Sequence, residues 1–221
     1  MILTNSPTTL KAFLEYIESE MFACVAAKTA ALMKTMIHRD CCADNKVTIK
    51  DAYGFLKEFV SQCEQISKAN SSFVLSFSDK TFTDDAGFET FLWETLNQLH
   101  NLDFESGLDW SDECSSDPNS PQFGFSILGE PFFIVGLHSN ASRISRCSPF
   151  PALVFNVHRQ FNYLKRTGTF EKLQAEIRRR ELLIQGSINP NLNNFGEDSE
   201  AKQYAGNVSI PGWKCPFSKK S

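Results

Sequence analysis

The sequence has no excess of positive charge: 22 Lys and Arg face 26 Asp and Glu, for a net charge of -4 and a pI near 5.6. Phosphate neutralisation dominates nucleic-acid affinity, so nucleic acid is not an expected partner. No apolar stretch reaches the roughly 18 residues of a membrane span, and residues 1–7 hold no basic segment ahead of an apolar one. Neither a membrane nor a secretory signal is expected. Cysteine pairing patterns are also missing. Cys24, Cys41, Cys42, Cys63, Cys114, Cys147 and Cys215 form an odd set without C-x-x-C spacing, which argues against a disulfide framework or a zinc ribbon and for free thiols in a reducing cytoplasm. On that expectation the sequons at Asn70, Asn140 and Asn207 carry no meaning. G-x-G-x-x-G, P-loop, G-x-S-x-G and H-E-x-x-H motifs do not occur, so dinucleotide, nucleoside triphosphate, α/β-hydrolase and zincin chemistry lack their usual support.

What is present is an ordinary globular composition, 42% hydrophobic and 22% charged over 221 residues, with phenylalanine as the outlier. Twenty Phe against 3 Trp and 4 Tyr predict aromatic walls, which suit a flat apolar ligand as well as a plain core. Leu10, Phe13, Leu14, Ile17 and Met21 recur at helical spacing behind the candidate caps Ser6 and Thr8. A second helical stripe starts near Thr48 and a third covers 85–101, with an alternating strand at 72–78 between them. Residues 103–122 turn acidic and rich in Ser and Pro, as a long loop does. A hairpin is predicted from 123–128, the Gly129-Glu130 turn and the nearly continuous apolar run 131–137, which implies burial on both faces. A buried strand at 152–156 and two helices, broken at 167–169, follow. Clustered helices around few strands predict an α+β fold with a small, mostly antiparallel sheet.

Candidate site residues lie where strands end. His138 closes the apolar run 132–137 and opens the loop 139–143, a place where site residues commonly sit. An imidazole there can ligate iron, act as a base or bond a neighbouring carbonyl. His158 follows the strand 152–156 in the same way, so the two histidines can converge. Arg143 and Arg146 flank the first loop and suit a carboxylate or a propionate, though solvated loop arginines are the plainer reading. Asn156, Gln185 and Asn189 are amides at strand or helix ends, which as a rule bond backbone. Cys215, followed by Pro216, can present a thiolate to haem iron or stay an inert buried thiol. Arg178, Arg179 and Arg180 read as a charged outer helix face, and Cys41 and Cys42 as incidental residues of a hydrophilic loop.

Longer stretches resemble the YqcI/YcgG family. They are F-F-I-V-G-L-H at 132–138, Ser142-Arg143, P-A-L-V-F-N at 151–156 with His158, Gln160 and Phe161, and Q-G-S-I-N-P at 185–190. The likeness continues through F-G-E at 195–197, S-E-A at 199–201, Gln203-Tyr204 and W-K-C-P-F at 213–217. Residues 22–28, F-A-C-V-A-A-K, resemble the family's F-P-C-V-x-A segment, with Ala23 in place of Pro. The loop S-N-A-S-R at 139–143 departs from the family's P-x-S-S-R, and Cys147 replaces the second of its paired arginines. Such departures leave the scaffold expectation intact and the substrate open.

Haem-dependent N-hydroxylases of guanidino compounds occur in that family. The resemblance therefore implies one domain over 1–221, with a helix-rich half at 1–110 and a hairpin, helices and wrapping tail at 123–217. It implies haem b, dioxygen as co-substrate, an external electron donor and a guanidino or amino-acid-like small molecule as substrate. On this reading His138 holds the iron, with His158 and Cys215 as alternatives. Arg143, Arg146 and Cys215 bind the cofactor, and His158, Asn156, Gln185 and Asn189 serve catalysis. A guanidinium needs a carboxylate partner, for which Glu197, Glu200, Asp112 and Glu113 are available. The competing expectation is a haem-binding, small-molecule-binding or interaction protein without turnover. The tail 185–217 is expected to be ordered, because Ile188, Leu192, Phe195, Tyr204, Val208, Ile210, Trp213 and Phe217 are too many apolar residues for a solvated linker.

Overall fold

The structure, a computed structural model, describes residues 3–43, 46–66, 70–193, 196–207 and 212–220. The expected Phe195, Val208 and Ile210 of the tail lie outside the described residues. The first half forms α1 (Pro7–Glu18), α2 (Val25–Met33), β1 (Met36–Asp40), α3 (Ile49–Ile66), β2 (Ser72–Ser76) and α4 (Asp85–Glu105). The second half adds β3 (Phe125–Ile127), β4 (Glu130–Leu137), β5 (Ala152–Val157), α5 (His158–Arg166), α6 (Phe170–Gln185) and α7 (Ala201–Tyr204). A 3-10 turn, Ile144–Arg146, follows β4. The strands make one sheet in the order β1-β2-β5-β4-β3, parallel only between β1 and β2. The predicted α+β fold with a mostly antiparallel sheet is therefore what forms, and the hairpin lies beside β5. Among the described residues no helix is long and apolar enough to cross a membrane.

Alternation along the strands divides the core into two layers. Phe73, Leu75, Phe132, Ile134, Leu153 and Phe155 point to one face, where Leu56 and Phe59 of α3 and Phe88, Leu92 and Leu96 of α4 cover them. Met36, Val74, Leu137 and Ala152 point to the other, against Phe13 and Ile17 of α1 and Ala30 and Ala31 of α2. Both faces of β4 are thus buried, as its unbroken apolar run predicts. The hairpin turn puts Leu128 at φ 57° and Gly129 at φ 71°, the doubly left-handed geometry that matches strand twist. Asp103 holds it in place, since its carboxylate accepts the Leu128 N–H at 3.0 Å and the Tyr53 hydroxyl at 2.9 Å. That anchor explains why α4 continues to Glu105, past the expected end at 101.

The expectation for the first third needs correction. The stripe predicted to reach Met21 ends at Glu18, leaving Met21 exposed, and a strand occupies residues 36–40. β1 carries polar side chains inward, which hides it from an apolar pattern. Its Asp40 is buried and accepts hydrogen bonds from Thr9 (3.0 Å), Ser76 (3.0 Å) and both the N–H and hydroxyl of Ser78 (3.1 and 2.6 Å). His38 bridges Thr4 at 2.9 Å and Ser76 at 3.0 Å, and burial pushes its pKa down to about 4. Cys41 and Cys42 follow as buried residues rather than as a hydrophilic loop.

The His38 shift has a fixed sign. A histidine that folds neutral, with a pKa below its unfolded value near 6.5, leaves stability intact above that value and removes it as the pH falls toward 4. Urea unfolding across that window should show a loss of roughly 3 kcal/mol from this group, and a His38→Gln chain should lose that part of the slope. An identical slope in both chains would contradict the assignment.

Candidate functional site

A cavity of about 310 Å³ opens between β4, α5, α6, the start of α2, residues 192–193 and residues 198–203, at the small end of the ~300–1,000 Å³ range of ligand pockets. Phe133, Phe161, Leu164, Phe170, Leu173 and Ile177 form its apolar wall. They share a side because α5 and α6 present helical i, i+3, i+4 stripes across the break at residues 167–169. Lys165 and Arg178 add cations. Lys165 Nζ lies 5.2 Å above the Phe170 ring, and Arg178 Nη2 donates to the Leu192 carbonyl at 3.4 Å.

On the polar side His158 and Glu200 line the cavity, and the fully buried Tyr204 stands behind them. His158 Nε2 lies 3.1 Å from Glu200 Oε1, and the Tyr204 hydroxyl donates to the same oxygen at 2.5 Å. The Tyr204 oxygen accepts the Phe125 N–H at 3.1 Å. Burial, with the adjacent Glu200 carboxylate, holds the Tyr204 phenol well above its usual pKa, so it stays a donor. Glu200 and Tyr204 are four residues apart on one helical turn, the spacing at which side chains meet. Gly124 leaves the room His158 needs: a Cβ there would lie 2.6 Å from its Cε1 and 3.1 Å from Cys114 Cβ.

Cys24 also lines the cavity. It stands at the N-cap of α2, where its side chain makes no capping hydrogen bond and burial pushes the thiol up. The Arg146 charge opposes that rise in part. Arg146 Nη1 donates to the Gly136 carbonyl at 2.9 Å, with the Tyr204 and Gln203 carbonyls each 3.4 Å from its Nη1 and Nη2. Among the described residues no carboxylate lies within ion-pair distance of it, since Glu181 is held by Arg143.

Of the site residues picked from sequence, His158 and the carboxylates Glu113 and Glu200 line this cavity. His138 is fully buried at the end of β4. Its Nε2 lies 2.9 Å from Asp85 Oδ1, and its ring stacks on Phe88 at 4.5 Å between centroids. Burial pulls the Asp85 carboxyl up, but hydrogen bonds from Ser142 and His138 outweigh it and hold the group below its usual range. Arg143 is buried against Glu181 and Ser187. The amides bond as their backbone-binding reading has it. Gln185 joins Ile144 N–H (2.7 Å) and the Ser142 carbonyl (3.3 Å), Asn189 donates to the Gly206 carbonyl (3.0 Å), and Asn156 joins Ser72 and the Phe133 carbonyl. Cys215 is half-buried beside the core, its thiol pushed up to about 12 by burial. In the described tail Tyr204 and Phe217 pack in the core as expected, whereas Ile188 stays exposed.

The three arginines of α6 do not form one outer face. Arg178 lines the cavity, Arg179 pairs with Glu176 in solvent, and Arg180 donates to the Glu20 and Phe22 carbonyls. A second cavity of about 410 Å³ lies between residues 41–43, the start of α3 and α4. Charged Asp79, Lys80 and Glu94 line it, as do Cys41 and Cys42, and Cys41 donates to the Val47 carbonyl with its thiol pushed up to about 11 by burial. Sequence reasoning passed over Cys24 and Tyr204 as site residues, although both sit in stretches that carry the family likeness.

The YqcI/YcgG family profile matches residues 12–218, and the chain belongs to that family. It is similar to the uncharacterized Bacillus subtilis protein YqcI, 27% identical over 188 residues that cover 79% of this chain and 71% of YqcI. It is also similar to the uncharacterized Bacillus subtilis protein YcgG, 30% identical over 141 residues, 59% of this chain and 53% of YcgG, so the match spans about half of that relative. No solved structure matches the chain.

Proposed function

We propose that this member of the YqcI/YcgG family is a haem-dependent N-oxygenase that hydroxylates a nitrogen of a small guanidino or amino-acid-like molecule, using dioxygen and an external electron donor. The observation that carries this reading is the cavity of about 310 Å³. Its aromatic and aliphatic wall suits a flat apolar ring, and Lys165 and Arg178 suit the ring's carboxylates. Haem iron, when bound there, would supply the reductive activation of dioxygen. One oxygen atom ends in the N–OH group and the other in water, so the reaction consumes two electrons from the donor and two protons.

This chain's own residues position the substrate and deliver protons. Tyr204 directs its proton at Glu200, and the same carboxylate holds His158 Nε2, so the proton path ends at the cavity wall. Of the three carboxylates lining the cavity, Asp198 pairs with Lys202 and Glu200 with Tyr204 and His158. Glu113, at the exposed rim, is then the group to meet a cationic nitrogen. His138 has no part in this reading, because Asp85 and Phe88 occupy its ring. Free thiols at the six described cysteines fit a protein at work in a reducing cytoplasm.

Titrating the purified chain with hemin should give a saturable Soret change. Ile177→Glu, which places a repelling charge in the apolar wall, should weaken uptake by roughly tenfold or more while the far-UV circular dichroism stays unchanged. Failure of the wild-type chain to take up haem would refute the reading. Uptake without N-hydroxylation of any guanidino compound, with dioxygen and a reductant supplied, would leave a haem-binding protein without turnover.

A further inference from the structure

Resting on the guanidino reading of the cavity, we infer that Gln203 is the residue that selects the substrate, its side-chain carbonyl taking an N–H of the planar guanidino group beside the second carboxylate oxygen of Glu200. Gln203 lines the cavity and is only 7% exposed. Among the described residues three amide residues are buried, Gln160, Asn189 and Gln203. Gln160 Oε1 accepts the Ser71 N–H at 3.2 Å, and Asn189 Nδ2 donates to the Gly206 carbonyl at 3.0 Å. The Gln203 side chain meets no partner among the described residues. Its backbone is held, with the N–H donating to the Glu200 carbonyl at 2.9 Å and the carbonyl 3.4 Å from Arg146 Nη2. A buried amide without a partner costs free energy, and a ligand N–H in the cavity removes that cost.

Glu200 is the independent observation. Its Oε1 takes both His158 Nε2 and the Tyr204 hydroxyl, which leaves Oε2 without a partner among the described residues, on a buried side chain that also lines the cavity. Glu200 and Gln203 are three residues apart on the turn that starts α7, so they share a side. Two acceptors on one turn suit the fork of N–H donors on a planar guanidinium, whereas a primary ammonium is a point charge without such an edge. Glu113 at the rim supplies countercharge, and this pair supplies direction. A site built to hydrogen-bond a substrate N–H rejects an analogue that lacks it, because the buried acceptors are then left unpaired.

The test is a calorimetric titration of the full chain, as purified, with L-arginine and with L-lysine, and it needs no turnover. The wild-type chain should bind L-arginine roughly tenfold or more tightly than L-lysine, and Gln203→Leu should lose that preference. The amide has no protein partner to lose, so the thermal midpoint of Gln203→Leu should not fall. Gln203→Glu, which keeps an acceptor, should keep the preference. A wild-type chain without a preference for L-arginine overturns the inference, as does Gln203→Leu with wild-type affinity. A lowered midpoint in Gln203→Leu, failure to fold included, assigns the residue to packing and overturns it too. An absent Soret change beside an L-arginine preference that Gln203→Leu loses refutes the haem reading and supports this one.

Discussion

Glu181→Ala should destabilise the fold by about 3–5 kcal/mol, the cost of removing one partner from a buried ion pair. The Glu181 carboxylate accepts from Arg143 Nη2 at 2.5 Å and from the Ser145 hydroxyl. Arg143 in turn donates to the Ser187 carbonyl, and the Ser145 carbonyl accepts the Tyr16 hydroxyl at 2.7 Å. One carboxylate therefore ties the loop after β4 to α6, to the segment after it and to α1. Without it the Arg143 cation stays buried with no charge partner. Urea denaturation of the two chains measures the difference, and Glu181→Gln, which keeps an acceptor, should cost less. A loss under about 1 kcal/mol for Glu181→Ala would place Arg143 among solvated loop arginines after all.

Gly136→Ala is the second large effect expected, about 1–3 kcal/mol from overpacking. A Cβ at this next-to-last position of β4 would lie 2.7 Å from Leu92 Cδ1 and from Phe88 Cε1, and 2.8 Å from the Tyr204 carbonyl oxygen. The side-chain ends can shift. The carbonyl cannot, since it belongs to the turn that carries Glu200 to the cavity and also lies 3.4 Å from Arg146 Nη1. The substitution should then lower the thermal midpoint and weaken haem uptake together. A chain with normal stability would show that the tail docks on β4 more loosely than this packing implies.

Elements whose inward residues are apolar could be read from the sequence. The hairpin, β5 and α3 to α6 follow period and turn chemistry, and the left-handed pair Leu128-Gly129 falls one residue before the Gly129-Glu130 turn expected there. β1 could not be read, because His38 and Asp40 face inward and are compensated by Thr4, Thr9, Ser76 and Ser78, none of them adjacent in sequence. The site was legible only in part. A histidine leaving a buried strand is one pattern with two outcomes: His138 turns to Asp85 on α4, and His158 to a cavity closed by residues more than 30 positions away. Only the fold distinguishes them. Arg143 and Arg146 likewise look equivalent in the loop, and the carboxylate on α6 that takes one and leaves the other is set by tertiary packing.

The most direct test of the account is a crystal structure of the chain grown with hemin. The account predicts the porphyrin in this cavity, against Phe161, Phe170 and Ile177. Iron bound to His138, or haem held anywhere outside this cavity, would contradict it.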